Sequence, residues 1–411
     1  MTLHSFPFLV SSSLIFNSSD PAEALVLSLI GNRWVQRLRR VAQSGAQRFV
    51  FMFSEYSRFG HSVYAAYLMS QVVKVLRLKG HNVSDFEAKL LLATSLLHDI
   101  GHLAPGSHMA WDVWFPEESD QHERLAVSII KEDLDLQKIL ADPNLVEGCK
   151  ELLLPEKRNF PSWMYQLISG SSWNVDRGSW VLTDSIFSGF GLGVYNISEL
   201  INSVSITSEG QLDFDERKRP TLMNFLVARN TLYSQVIFHP AVIGARLLFN
   251  KIVERLREGA KASFLDFTME SFLKASTSQE ISLEDIFNCD DHWFFYHLSR
   301  WLGDENDLIV RDLSMRIINR DFFRAFRLPK EVFQELYYDA CELVASLGYD
   351  PNYYCLSQDL SKYQFILSGS GLTSEALDKN FYFDEHYLFL PSQVAEAFES
   401  KLLGLRSLNT R

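Results

Sequence analysis

The chain has 411 residues, 47% hydrophobic and 13% aromatic, which is ample for a large buried core and leaves one or two domains open. Acidic residues outnumber basic ones by 51 to 39, a formal net charge of −12, so extended duplex nucleic acid is not an expected partner. Cys149, Cys289, Cys341 and Cys355 are scattered without a CxxC pair, which excludes a disulfide framework and fits a reducing compartment.

From the N-terminus, MTLHSFPFLVSSSLIF is moderately apolar, but Pro7 and three serines interrupt it and it lacks a basic flank. No uncharged apolar run reaches the ~18 residues of a membrane span, so a cytoplasmic, soluble protein with no membrane partner is expected. Arg33, Arg37, Arg39, Arg40, Arg48 and Arg58 gather in one short stretch. They read equally as a solvated helix face or as groups for a phosphorylated small molecule. His61 opens the helical pattern SVYAAYLMSQVVKVLRL, three residues after Arg58 and on the same face. Ser84-Asp85-Phe86-Glu87 is a capping box ahead of the apolar run Leu90 to Leu97. Asp176 begins a helix ending near Gly189, with Asp176, Trp180 and Asp184 on one face.

VSITSEGQLDFDE reads as a hairpin turning at Glu209-Gly210. Arg229 sits on the otherwise apolar helix MNFLVARNTLYSQVIF, where a buried guanidinium needs an anionic partner. Further helices are expected from Pro240 to Gly259, from Ser282, and from Pro329 to Leu347, with strands in YQFIL and NFYFDEHYLFLP. The expected fold is mainly α, with a small hairpin and a mixed α/β C-terminal lobe. A break near residue 265 divides a core, 1–265, from a C-terminal lobe, 266–411.

Four of the eleven histidines, His98, His102, His108 and His122, fall within 25 residues. In Leu96-Leu97-His98-Asp99-Ile100-Gly101-His102 the apolar run buries the helix end, and an ionised aspartate there needs compensation. A divalent cation held by the imidazole and the carboxylate resolves that cost, and mixed N/O ligands suit Mn, Fe, Mg or Zn. Two ligands do not hold a catalytic ion, so others must come from elsewhere. His61 and Asp176 are candidates, although spacing alone reads Asp176 as a helix cap or a solvated acid. His292, His297 and His386 have no partner pattern and read as structural, as does the aromatic run Trp293 to Tyr296.

Taken in order, these residues resemble the H…HD…D pattern of the HD superfamily. Within it the chain resembles the deoxynucleoside triphosphate triphosphohydrolases, the bacterial dGTPases and the sterile-alpha-motif-and-HD-domain enzyme of animals. The likeness spans roughly residues 30 to 260. It rests on Gln36 to Gln43, Arg58-Phe59-Gly60-His61-Ser62, His98 to His102, His122-Glu123, Val175-Asp176-Arg177, Asp184-Ser185, and Phe225 to Leu232 followed by His239.

The resemblance implies an HD helical core with His61, His98, Asp99 and Asp176 as metal ligands and His102, His108, His122 and Glu123 as the catalytic group. It implies that Arg58, Arg177 and Arg229 hold phosphate, that Gln43 and Asp184 hold the sugar 3′-hydroxyl, and that Arg37 and Arg39 line an allosteric nucleotide site. It also implies a homo-oligomer, tetramer or hexamer, that hydrolyses deoxynucleoside triphosphates to nucleoside and inorganic triphosphate. The sequence departs from the family at Trp180, which replaces the sugar-stacking tyrosine, and at Ile237, Ser44 and the loop from His102 to His108. The changes at Trp180 and Ile237 keep open an HD nucleotidase or phosphodiesterase of other specificity. A catalytically weak nucleotide-binding regulator using the same pocket is a further alternative, against which intact His102, His122 and Glu123 argue.

Overall fold

Ser84 and Glu87 form the expected capping box: Ser84 Oγ accepts from Glu87 N–H at 3.2 Å and Glu87 Oε2 accepts from Ser84 N–H at 2.8 Å. The helix built on it, Asp85–Leu97, is apolar around most of its circumference, and Leu90, Leu91, Leu92, Ala93, Leu96 and Leu97 are all buried. Such a helix is stable only when enclosed, because each large side chain removed from water contributes about 1.5–3 kcal/mol.

The computed structural model describes residues 2–8, 12–106, 109–170, 172–189, 191, 194–304, 306–360 and 386–408. In chain order its elements begin with β1 (Leu3–Phe8), β2 (Ser12–Asn17), α1 (Pro21–Ile30), α2 (Arg33–Arg37), α3 (Arg58–Leu78) and α4 (Asp85–Leu97). There follow α5 (Met109–Trp114), α6 (His122–Glu132), α7 (Leu134–Leu140), α8 (Pro143–Leu153), α9 (Ser162–Ser169), α10 (Val175–Phe187) and α11 (Ile197–Ser203). Next come β3 (Val204–Ile206), β4 (Leu212–Phe214), α12 (Arg219–Leu232), α13 (Pro240–Arg257), α14 (Phe267–Lys274), α15 (Leu283–Asn288), α16 (Asp291–Trp301) and α17 (Leu308–Ile318). The chain closes with β5 (Arg324–Leu328), α18 (Lys330–Ser346), α19 (Pro351–Tyr354), β6 (Leu356–Asp359), β7 (His386–Leu390) and α20 (Ser392–Leu408). The fold is mainly α.

Two compact units divide the chain differently from a single break near residue 265. The first comprises Met1–Tyr233 and regains Lys274–Phe294, and the second holds Ser234–Leu273 and most of the chain from Phe295 onward. In the first unit α4 packs against α1, α3, α8 and α9, and α3 packs in turn against α10. This arrangement brings the N-terminus of α3, the C-terminus of α4 and the start of α10 together. Lys274–Phe294 joins this unit through Phe287, whose ring stands edge-on to Trp34 at 5.2 Å, and Phe294, edge-on to Trp114 at 5.8 Å.

The sequence reading assigns no strand at the N-terminus, yet β1 and β2 form an antiparallel hairpin from Leu3↔Asn17 to Phe8↔Ser12. Leu14 and Phe16 face inward while Ile15 is exposed, the period-two pattern of a half-buried strand. Pro7 is tolerated because a two-stranded ribbon has free edges. The hairpin β3–β4 turns at Gly210, whose φ of 73° suits glycine, as expected.

In the second unit α13 packs against α17 and β5, and the antiparallel sheet has the order β5-β7-β6. Of the strand expected in NFYFDEHYLFLP, His386–Leu390 form β7, while residues 380–385 and YQFIL lie outside the described residues. The four cysteines are free. No single helix among the described residues is long and apolar enough to cross a membrane.

Candidate metal centre and active site

The packing of α3, α4 and α10 decides which polar side chains meet. Arg58 is the first residue of α3, and its N–H donates to Val41 O at 2.9 Å, so His61 is carried one turn into the core. His98 caps the C-terminus of the buried α4, and Asp99 comes next in the chain. On α10 the cap is Asn174, whose side chain accepts from Arg177 N–H at 2.7 Å. Asp176 is therefore not the cap that spacing alone suggested. It lies in the first turn and faces the histidines.

His61 Nε2 lies 3.2 Å from His98 Nε2, 3.3 Å from Asp99 Oδ2 and 3.2 Å from Asp176 Oδ1. His98 Nε2 lies 3.2 Å from Asp99 Oδ1 and 3.6 Å from Asp176 Oδ1. Ligand atoms around one divalent ion at about 2.1 Å stand about 3.0 Å apart along octahedral edges and about 3.4 Å along tetrahedral ones. The spacing therefore fits a single ion. His98 Nδ1 donates to Ser95 O at 2.9 Å, which leaves the neutral ring's Nε2 as an acceptor facing the Nε2 of His61. Two ring nitrogens this close beside two carboxylates need a proton or a cation between them. The donor set fits the divalent ion that the sequence implied.

Charge within the cluster arises from these contacts. Burial opposes ionisation of Asp99, but the Arg58 guanidinium, His98 and His102 hold its carboxyl well below the usual range. Arg58 Nη1 donates to Asp99 Oδ2 at 2.6 Å, both groups being buried. Burial also opposes protonation of His98, yet Asp99 and Asp176 raise it to about 9. Burial would raise the Asp176 carboxyl too, and hydrogen bonds to His61 and His98 hold it far below the usual value.

A second pair of imidazoles adjoins this cluster. His102 Nε2 is 3.3 Å from Asp99 Oδ1, and its ring stacks on His122 with centroids 3.9 Å apart and planes at 17°. His122 begins α6, and its Nδ1 is 2.8 Å from Asp120 Oδ1. The two rings are driven apart electrically. Burial, Arg58 and His122 lower His102 well below its ordinary value. His122 is raised, because the hydrogen bond to Asp120 and the charges of Asp120 and Glu123 outweigh burial. Glu123 Oε1 stands 3.4 Å from His122 Nε2. His108 lies outside the described residues.

Around this core lie two further groups. Arg177 and Arg229 are close enough for Arg229 to lower Arg177, after burial, and the Arg229 guanidinium lies 5.7 Å from the centroid of the Tyr233 ring. Trp180 stands edge-on to Tyr233 at 5.8 Å. At Tyr233 the helix α12 passes into a π-helical turn, Tyr233–Ile237. In the other group Gln43 N–H donates to Tyr56 O at 3.0 Å, and the Tyr56 hydroxyl donates to Asp184 Oδ1. Burial raises the Asp184 carboxyl to about 6, against Tyr56 and Arg58. Gln43 Oε1 is buried without a hydrogen-bond partner.

Arg37 departs from both readings of the arginine run. It is fully buried, donating Nε to Phe287 O at 3.0 Å, Nη1 to His102 O at 2.9 Å and Ile100 O at 3.4 Å, and Nη2 to Cys289 O. A guanidinium committed to four carbonyls is neither a solvated face nor open to an allosteric nucleotide. Arg39 packs over the Phe59 ring, 3.5 Å from its centroid. Asp120, Tyr56 and Tyr233 escaped the sequence reading. Only Asp120 left a signal, an acid two residues before His122 whose Oδ1 also accepts from His122 N–H at 3.0 Å.

Comparison with known proteins gives this geometry a family. Residues 58–156, from the first residue of α3 to just beyond α8, match the model described as HD domain. Those residues carry an HD domain. Among relatives of this HD protein, Bacillus subtilis (strain 168) YwfO, named as an uncharacterized protein, is 28% identical over 352 residues, covering 84% of this chain and 79% of that one. The deoxynucleoside triphosphate triphosphohydrolase SAMHD1 homolog of Dictyostelium discoideum is 22% identical over 285 residues, 63% of this chain and 53% of that one. A solved structure titled phosphohydrolase, from Bacteroides thetaiotaomicron, superposes with a TM-score of 0.79 at 21% identity, covering 95% of this chain and 100% of that one, and shares the fold. The HD fold and the His/Asp cluster are those of a metal-dependent hydrolase.

Proposed function

We propose that this HD protein hydrolyses deoxynucleoside triphosphates to nucleoside and inorganic triphosphate. The observation that carries the reading is one ion-sized set of donors, His61, His98, Asp99 and Asp176, lying beside a stacked imidazole pair whose proton affinities are shifted in opposite directions. A divalent cation held by those four residues supplies electrophilic activation of a phosphate oxygen. Arg58, Arg177 and Arg229 offset the negative charge that grows on the triphosphate in the transition state. Water adds to the α-phosphorus as the bond to the sugar 5′-oxygen breaks. His122 carries the proton for the departing 5′-oxygen on Nε2, because Asp120 holds its Nδ1 and favours the protonated ring. His102 stays neutral, so the stacked rings do not repel each other. Unequal pKa values in adjacent groups are the arrangement that assigns acid and base roles. Gln43 and Asp184, linked through Tyr56, would receive the sugar 3′-hydroxyl.

Relatives named deoxynucleoside triphosphate triphosphohydrolases support the substrate class. Trp180 packed on Tyr233, together with an Asp184 already engaged by Tyr56, favours a second reading, an HD nucleotidase or phosphodiesterase with other sugar contacts. Product analysis separates the two. Purified protein loaded with Mn, Mg, Fe or Co is offered dNTPs, NTPs, monophosphates and cyclic nucleotides. Equimolar nucleoside and triphosphate from dNTPs is the expected result, and release of diphosphate or monophosphate rejects the triphosphohydrolase reading.

A further inference from the structure

Asp291 lies 249 residues from Ala42 and 185 from Gly106 in sequence, yet its carboxylate joins them. Oδ2 accepts from Ala42 N–H at 2.7 Å and Oδ1 accepts from Gly106 N–H at 3.0 Å, with Asp291 itself 4% exposed. Ala42 immediately precedes Gln43, and Gly106 lies on the loop that begins at His102. The two loops touch at this point: a Cβ on Gly106 would stand 2.6 Å from Ala42 O and 2.8 Å from Ala42 Cβ. The same chain turn grips the second loop twice more, through Arg37, which bridges Phe287 O and Cys289 O to His102 O, and through Cys289 Sγ, 3.6 Å from Ala104 O.

We propose that Asp291 is a positioning residue of the active site, setting the Gln43 loop against the His102–Gly106 loop. The chemistry calls for a carboxylate. Two N–H donors converge from different loops, and only a group with two accepting oxygens satisfies both; an amide would turn its own N–H towards one of them. An apolar side chain would leave two buried donors unpaired. Helix capping does not explain the residue, because Asp290 Oδ1 already accepts from Trp293 N–H at 3.0 Å at the start of α16. The inference rests on the proposed reading that these loops flank the nucleotide.

The test compares full-length Asp291→Asn with Asp290→Asn, which keeps an oxygen for Trp293 N–H, removes the charge paired with Arg40 and leaves the hydrogen bonds to Ala42 and Gly106 in place. Each is measured for kcat, KM, bound Mn and melting temperature. For Asp291→Asn, kcat/KM is expected to fall about 100-fold, the loss that a misplacement of about 1 Å brings. Both kcat and KM should change, with Mn content equal to wild type. Asp290→Asn is expected to lower the melting temperature with kinetics unchanged. Wild-type kinetics in Asp291→Asn, or kinetic losses that track melting temperature in both variants, would overturn the proposal. Should Asp291→Asn fail to fold, Gly106→Ala, which wedges the same loops apart with Asp291 in place, is expected to show the same kinetic pattern; wild-type kinetics there would overturn it equally. If the wild type turns over a phosphoester other than a dNTP, the proposed substrate is wrong and the Asp291 comparison is decided on that phosphoester.

Discussion

Replacing Gly101 with alanine perturbs the site while leaving every candidate ligand in place. A Cβ built on Gly101 stands 2.1 Å from His122 O, 2.6 Å from Ala126 N and 2.9 Å from Leu125 Cβ. Carbon and oxygen come no closer than about 3.3 Å, so the His98–His102 turn and the first turn of α6 must part by about 1 Å. Two of the three opposing atoms are backbone, and no flexible side-chain end can yield. The cost belongs at the upper end of overpacking, about 3 kcal/mol. That is survivable against a typical stability of about 5–15 kcal/mol, and the melting temperature should drop by about 5 °C or more. The displaced turn carries His122, so its 3.9 Å stack on His102 opens while His61, His98, Asp99 and Asp176 stay together. Activity is expected to fall about 100-fold with Mn affinity nearly unchanged. Thermal melting, steady-state kinetics and Mn titration on one preparation test this. Wild-type turnover and melting would refute the close approach, and an equal loss of Mn affinity would refute the separation of the His102–His122 pair from the ion site.

Three other outcomes are expected. Asp184 is held at about 6, above its ordinary 3.8, so its stability contribution is greatest below 3.8 and is lost as pH rises through 6. Asp184→Asn should therefore gain on wild type by about 1.4 kcal/mol between pH 5 and pH 8 in denaturant titrations, and a pH-independent difference would contradict it. His98, raised to about 9 without metal, must lose its proton to bind an ion, so Mn affinity should rise up to about tenfold per pH unit from pH 6 to 9. Calorimetry in buffers of different ionisation enthalpy should register that proton, and no release would contradict the raised value. Arg37→Lys cannot span the carbonyls of Ile100, His102, Phe287 and Cys289, and should destabilise by about 3 kcal/mol or more in chemical denaturation. A neutral effect would return Arg37 to the solvated class.

How much of this was legible in the sequence depends on distance along the chain. The capping box and apolar run of α4, the Gly210 hairpin and the Pro240 helix start are local signals, and they foretell real elements. The HD dipeptide announces its own problem, a charge at the end of a buried helix. Asp176 is different: nothing near it in sequence says that Asn174 takes the cap and frees it to face His61. Arg37 misleads because a run of arginines resembles a wet face, whereas its acceptors come from residues 63 to 252 positions away. Pro7 and the serines hide a hairpin whose inward residues, Leu14 and Phe16, find cover only in three dimensions. The return of Lys274–Phe294 to the first unit rests on pairings with no local trace.

The most direct measurement is the number of divalent ions bound per chain, by elemental analysis of protein loaded with Mn and passed through a desalting column, for wild type, His98→Ala and Asp176→Ala. One ion per wild-type chain, absent from both variants, is expected from the four converging donors. Full Mn retention by either variant, with its fold intact, would contradict it.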